Sequence, residues 1–139
     1  MPLESSEEVR RRRRVAHQPQ LRNRRRLRRL KLAPDARALA KSVSTVVQVP
    51  LYDLMNAPRG SAKVVEARQL AMYLMYVHLG WDQPQIAILF ERDAATVSLA
   101  CRHSEDRRDV AAFEAVIARI ESLYGEAMRK LEPELRDAA

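Results

Sequence analysis

The chain has 139 residues, with 25 basic against 18 acidic side chains and a formal charge of +7, which is enough for one domain plus tails. No apolar run reaches membrane-spanning length, and the charged start lacks the apolar core of a secretory leader. A single cysteine, Cys101, excludes an internal disulfide and fits a reducing, cytoplasmic setting.

Residues 1–33 read as a disordered arm. Residues 10–31 hold 12 of the 25 basic side chains and no acid: Arg10, Arg11, Arg12, Arg13, Arg14, Arg22, Arg24, Arg25, Arg26, Arg28, Arg29 and Lys31. From Leu32 onward 13 basic and 15 acidic residues remain, a net of −2, so the positive field is assigned to the arm. In a helix Arg22/Arg26, Arg24/Arg28 and Arg25/Arg29 would stack like charges at i, i+4, which is destabilising. Leu27 and Leu30 could still line one side of a helix formed on an acidic partner. Two uses stay open for the arm: a solubilising or accidental tail, or a segment that touches nucleic acid.

A folded domain is expected over 34–131. Asp35 is the expected N-cap of a helix with Leu39, Val43, Val46 and Val47 inside, which Pro50 ends before a short helix over 51–55. Asn56-Ala-Pro-Arg-Gly60 reads as a loop. A long helix over 62–79 should bury Leu70, Tyr73, Leu74 and Val77, with Gly80 after its end. Asp82 then caps a short helix carrying Ile86, Leu89 and Phe90. Asp93 caps the next, over 94–108, with Val97, Ala100 and Cys101 inward. A last helix over 110–131 repeats Phe113, Val116, Ile117, Ile120 and Leu123/Tyr124 at helical spacing. Pro133 should open a flexible tail, 132–139. The fold class is therefore all-α, a small helical bundle with a disordered basic arm.

Two short helices across a tight turn, the second capped by Asp93, make a helix-turn-helix. In such a unit the second helix enters the major groove, its first residues against base edges. Pattern alone is weak evidence, because many small bundles contain such a pair. Several stretches carry more: VVQVPLYDLM, ARQLAMYL, QPQIAILF and ERDAATVSLACR. Together, over roughly 43–126, they resemble the C-terminal DNA-binding domain (domain IV) of the bacterial replication initiator DnaA. The last resembles its Gly-Gly-Arg-Asp-His-Ser/Thr-Thr-Val-x-His-Ala signature, shortened by one residue in the turn.

The resemblance implies DNA-contacting roles for Arg59 and Lys63 in a minor-groove loop, for Arg68 and Gln69 near the backbone, and for Arg92, Asp93 and Thr96 at the recognition-helix start. It also marks losses. Ala94, Ala95 and Leu99 stand where the family carries His, Ser/Thr and His, and Tyr76 stands in place of a basic residue. Each good base contact is worth roughly 1–3 kcal/mol, so losing two or three should cut specificity for the DNA recognition box that the resembled family reads about a hundredfold or more.

Other chemistry finds little support. Three glycines, at 60, 80 and 125, leave no phosphate-binding loop, so the initiator's ATPase domain is absent from this stretch. His17, His78, His103 and Cys101 have no metal-ligand spacing; no metal and no cofactor are expected. Trp81 reads as a packing cover, Cys101 as a small core residue, and Met72, Met75 and Tyr76 as core or boundary rather than an exposed face. The expected function is a non-enzymatic, DNA-binding regulator of replication initiation, cytoplasmic and nucleoid-associated, with reduced or altered specificity. The alternative is a module that binds the initiator or one of its regulators. No membrane and no small-molecule substrate are expected as partners.

Overall fold

The computed structural model describes residues 5–7, 19–56 and 61–138, with side chains for 24–56 and 61–132 in the long segments. Seven longer α-helices run in chain order among them: α1 (Pro19–Lys31), α2 (Pro34–Val47), α3 (Leu51–Asn56), α4 (Ala62–Val77), α5 (Gln83–Phe90), α6 (Ala94–Asp106) and α7 (Ala111–Ala138). A 3₁₀ turn, Arg107–Asp109, joins α6 to α7. The expected all-α bundle is the observed one.

The helix ends follow from local chemistry. Ser61 accepts from the Val64 N–H at the start of α4. Asp82 and Gln85 exchange side-chain and backbone hydrogen bonds, 2.8 and 3.0 Å, in a capping box that starts α5. Gly80 takes φ 73°, and the Trp81 N–H donates back to the Met75 carbonyl at 3.1 Å, closing α4. Asp35 is not the N-cap expected of it. Pro34, with no N–H to satisfy, starts α2 one residue earlier, and Asp35 sits in the first turn. There its carboxylate accepts from the Trp81 indole at 3.4 Å, which ties the packing cover over the core to α2.

The core is continuous. Leu39 and Val43 of α2, Leu54 and Met55 of α3, Leu74 and Met75 of α4, Ile86 and Phe90 of α5, Val97 of α6, and Ile117 and Ile120 of α7 are all buried. Met72 and Met75 lie inside, as core packing requires, while Tyr76 is exposed. Val77, expected inside, is exposed: it is the last residue of α4, and Leu74 and Met75 of the same turn take the core positions.

Two boundaries move. The arm is helical from Pro19, and α1 packs on the bundle with Leu30 fully buried and Leu27 half-buried. Its guanidinium groups find a carboxylate and two carbonyls on the domain, which offsets the repulsion expected along the helix. The stretch expected as a tail is helical through Pro133 to Ala138. The neighbours Leu131, Glu132, Glu134, Leu135 and Arg136 are good helix formers, which favours continuation past the proline. Arg10–Arg14 and residues 57–60, expected as part of a loop, lie outside the described residues, and so does the side chain of Arg22.

Candidate nucleic-acid interface

Helices α5 and α6, with Glu91–Asp93 between them, form the helix-turn-helix. Asp93 is extended (φ −77°, ψ 161°), and its Oδ1 accepts from the Thr96 N–H at 2.8 Å and the Thr96 hydroxyl at 2.6 Å. Those bonds hold the Asp93 carboxyl below its ordinary value. They also occupy the one proton of the Thr96 hydroxyl, so Thr96 meets a partner as an acceptor. Ala94 and Ala95 are exposed beside it, and Leu99 follows one turn on with 61% of its surface in solvent. Val97, Ala100 and Cys101 face inward as expected, and burial pushes the Cys101 thiol up. Ala94, Ala95 and Leu99 thus make three exposed positions of α6 apolar where base-reading helices carry polar groups, while Thr96, Arg102 and His103 are among its exposed polar ones.

The far end of α6 is fixed to α4 and α7. The Tyr73 hydroxyl donates to the Glu105 carboxylate and accepts from Arg108 Nη1 at 3.2 Å. Arg108 also forks onto Glu114 at 2.5 and 3.1 Å. Arg107 lies 4.3 Å over the Phe113 ring. These contacts fasten the C-terminal end of α6 and the turn after it to α4 and α7.

Arg68 does not occupy the outward position that the resemblance implies. It is 7% exposed; its Nε donates to the Leu54 carbonyl at 2.8 Å and its Nη2 to the Asp53 carbonyl at 3.0 Å. Burial, with the positive fields of Arg92 and Arg26, lowers it to about 10. Two of its donors hold carbonyls of α3, which joins α4 to that short helix. Lys63, in the first turn of α4, is exposed, Gln69 and Arg92 are half-buried, and Arg59 lies outside the described residues.

One residue of the candidate site escaped the sequence reading. Glu91, in the helix-turn-helix turn, adopts φ 53°, ψ 48°, a left-handed conformation that suits glycine and costs other residues about 1–2 kcal/mol. Its carboxylate gathers three arginines of α1: Arg25 Nε at 2.6 Å, Arg29 Nη1 at 3.1 Å and Arg26 Nε at 3.3 Å. Arg29 Nη1 also donates to the Ile88 carbonyl near the end of α5, at 2.9 Å, and Arg26 Nη1 to the Asn56 carbonyl at the end of α3, at 3.3 Å. Positive groups at helix C-termini meet the negative end of the dipole. Burial pushes the Glu91 carboxyl up, but the Arg25 hydrogen bond and the fields of all three arginines hold it below its ordinary value. The sequence signal was an acid where the resembled signature carries glycine, set against an acid-free run of twelve cations.

This clamp relocates the positive charge. Residues 19–138 hold 20 basic and 15 acidic side chains, a net of +5, where the sequence reading assigned −2 to the domain alone. Arg25, Arg26 and Arg29 gather on Glu91 at the turn that leads into α6, Arg92 stands in that turn, and the buried Arg68 feels the fields of Arg92 and Arg26. Arg24 and Arg28 are exposed on α1. Such a concentration of cations next to a recognition-helix start suits a phosphate backbone.

Among the described residues no cluster of His, Cys, Asp and Glu is placed to hold a metal ion, and no helix is long and apolar enough to cross a membrane. The family described as bacterial dnaA protein helix-turn-helix matches residues 36–103, from the first turn of α2 through most of α6. Comparison with curated proteins found no match.

Proposed function

We propose that this chain, whose residues 36–103 belong to the bacterial dnaA helix-turn-helix family, binds duplex DNA mainly through its phosphates, with reduced or altered sequence preference. The observation that carries this reading is the fastening of the arginine helix α1 to the turn that leads into α6. That contact brings the cationic helix beside the turn that precedes α6. Exposed Ala94, Ala95 and Leu99 contribute no polar reader, although an alanine methyl suits a thymine methyl. Arg92, in the turn, adds positive charge there, and Lys63, exposed in the first turn of α4, belongs with Arg59 to the same proposed set. The link to replication initiation rests on the family alone, and action at the nucleoid follows from DNA binding.

A second reading is favoured by Leu99. A leucine with 61% of its surface in water, beside exposed Ala95, costs little to dehydrate against a protein. On that reading the α6 face meets the initiator or one of its regulators. The separating experiment is duplex binding, on random and recognition-box DNA, by the wild type and by Leu99→Asp. Pull-down with both proteins completes it. DNA affinity that survives the substitution while a protein partner is lost favours the second reading.

A further inference from the structure

A second surface lies away from the helix-turn-helix. Between α2 and the C-terminal half of α7 runs a groove of about 540 Å³, within the range of ligand-holding clefts. Pro34 and Ala38 of α2 face Leu123, Ala127 and Leu131 of α7 across it. The α7 residues recur at i, i+4 and i+8, so the floor is a straight apolar stripe more than two helical turns long. Lys31, Arg37, Lys41 and Lys130 edge the groove on both sides, and no carboxylate lines it among the described residues.

We propose that this groove receives an acidic amphipathic helix of a partner protein. An apolar trough between two helices is the shape that takes the apolar face of a third, read as anchors at i, i+3/i+4 and i+7. Four cations and no lining acid fix the sign of the flanking residues on that helix. The chain's own arginine run is repelled by the same rim. A nucleic acid would find no aromatic ring among the lining residues on which to stack a base. The surface is independent of the DNA reading, because α7 lies outside the matched residues 36–103 and α2 takes no part in the helix-turn-helix.

The test uses the full chain and two fluorescent helical peptides. One carries leucine at i, i+3, i+4 and i+7 with glutamate beside each; its twin carries lysine in place of glutamate. Anisotropy should show the acidic peptide binding at least about tenfold more tightly than its twin, a difference of about 1.4 kcal/mol. The pair Lys41→Glu/Lys130→Glu, both exposed positions, should reverse that preference, and Lys41→Gln/Lys130→Gln should reduce it. Circular dichroism and DNA binding should stay at wild-type values in both. No binding of the acidic peptide, equal binding of the twins, or an unchanged preference in the glutamate pair overturns the proposal. So does a stronger, rim-dependent affinity for vesicles of acidic phospholipid, or rim-dependent self-association of the chain in sedimentation.

Discussion

Glu91→Gln removes one charge from the centre of the α1 clamp and keeps the side chain's length and the left-handed backbone cost, so its effect isolates the electrostatics. The loss falls mainly on Arg26, whose side chain is 8% exposed and whose second contact, to the Asn56 carbonyl, is long at 3.3 Å. Leaving a buried guanidinium under-compensated costs about 1–3 kcal/mol. Against this, full burial of Leu30 contributes about 2–3 kcal/mol toward holding α1 in place, and a 13-residue helix has little stability of its own. Docking of α1 should therefore approach balance. Trypsin reads this directly, because cleavage tracks the open population when opening and closing are fast. Cleavage after Arg25, Arg26 and Arg29, followed by mass spectrometry, should accelerate about 5–150-fold, and the Tm should fall by roughly 3–10 °C. The pH dependence has a definite sign. The folded-state value of Glu91 lies below its ordinary 4.5, so the clamp's contribution is present above pH 4.5 and is lost as pH falls through the folded value. The glutamine variant should lack that acid-side loss. Wild-type protection of α1 in Glu91→Gln, together with an unchanged acid limb, would refute the clamp.

Three further outcomes follow from the same geometry. Arg68→Ala should destabilise by about 2–3 kcal/mol in urea unfolding, because the Asp53 and Leu54 carbonyls lose a charged donor, and Arg68→Lys should rescue little of it. Asp93→Ala should cost about 1 kcal/mol through loss of the α6 cap, read by the same assay, and should loosen the α6 start in hydrogen exchange. Leu99→Asp and Ala95→Arg should leave stability within about 0.5 kcal/mol, since both sites are exposed, while Ala95→Arg raises DNA affinity and steepens its salt dependence.

Much of the helix-turn-helix was legible in the sequence because its signals are local. Asp82, Asp93 and Gly80 each act within a few residues of where they stand, and Ile86, Leu89, Phe90 and Val97 mark a core face by spacing alone. The helix α1 was not legible. Its own neighbours argue against it, and what stabilises it, Glu91, lies 66 residues away from Arg25 in the chain. Arg68 misled for a related reason. A motif match suggests an outward role, whereas the carbonyls of the short helix α3, fourteen and fifteen residues earlier, claim its donors. Pro133 shows the limit of a breaker rule inside a run of strong helix formers. Glu91 itself was hidden by its setting, since an acid at a turn reads as solvated until the arginines that surround it are known.

Removal of residues 1–18 is the truncation that leaves α1 packed, whereas removal of 1–33 strips Leu30 and the clamp from the bundle. The most direct measurement is therefore duplex binding by the full chain and by the 19–139 chain, on recognition-box and random DNA, from 50 to 200 mM salt. If about 6–10 phosphates are engaged, full-chain affinity should fall roughly 10³–10⁵-fold over that range. The 19–139 chain should keep measurable binding with a shallower salt slope, and box preference should stay below about a thousandfold in both. A preference above that, or affinity for duplex DNA that is indifferent to salt, would contradict a phosphate-dominated interface.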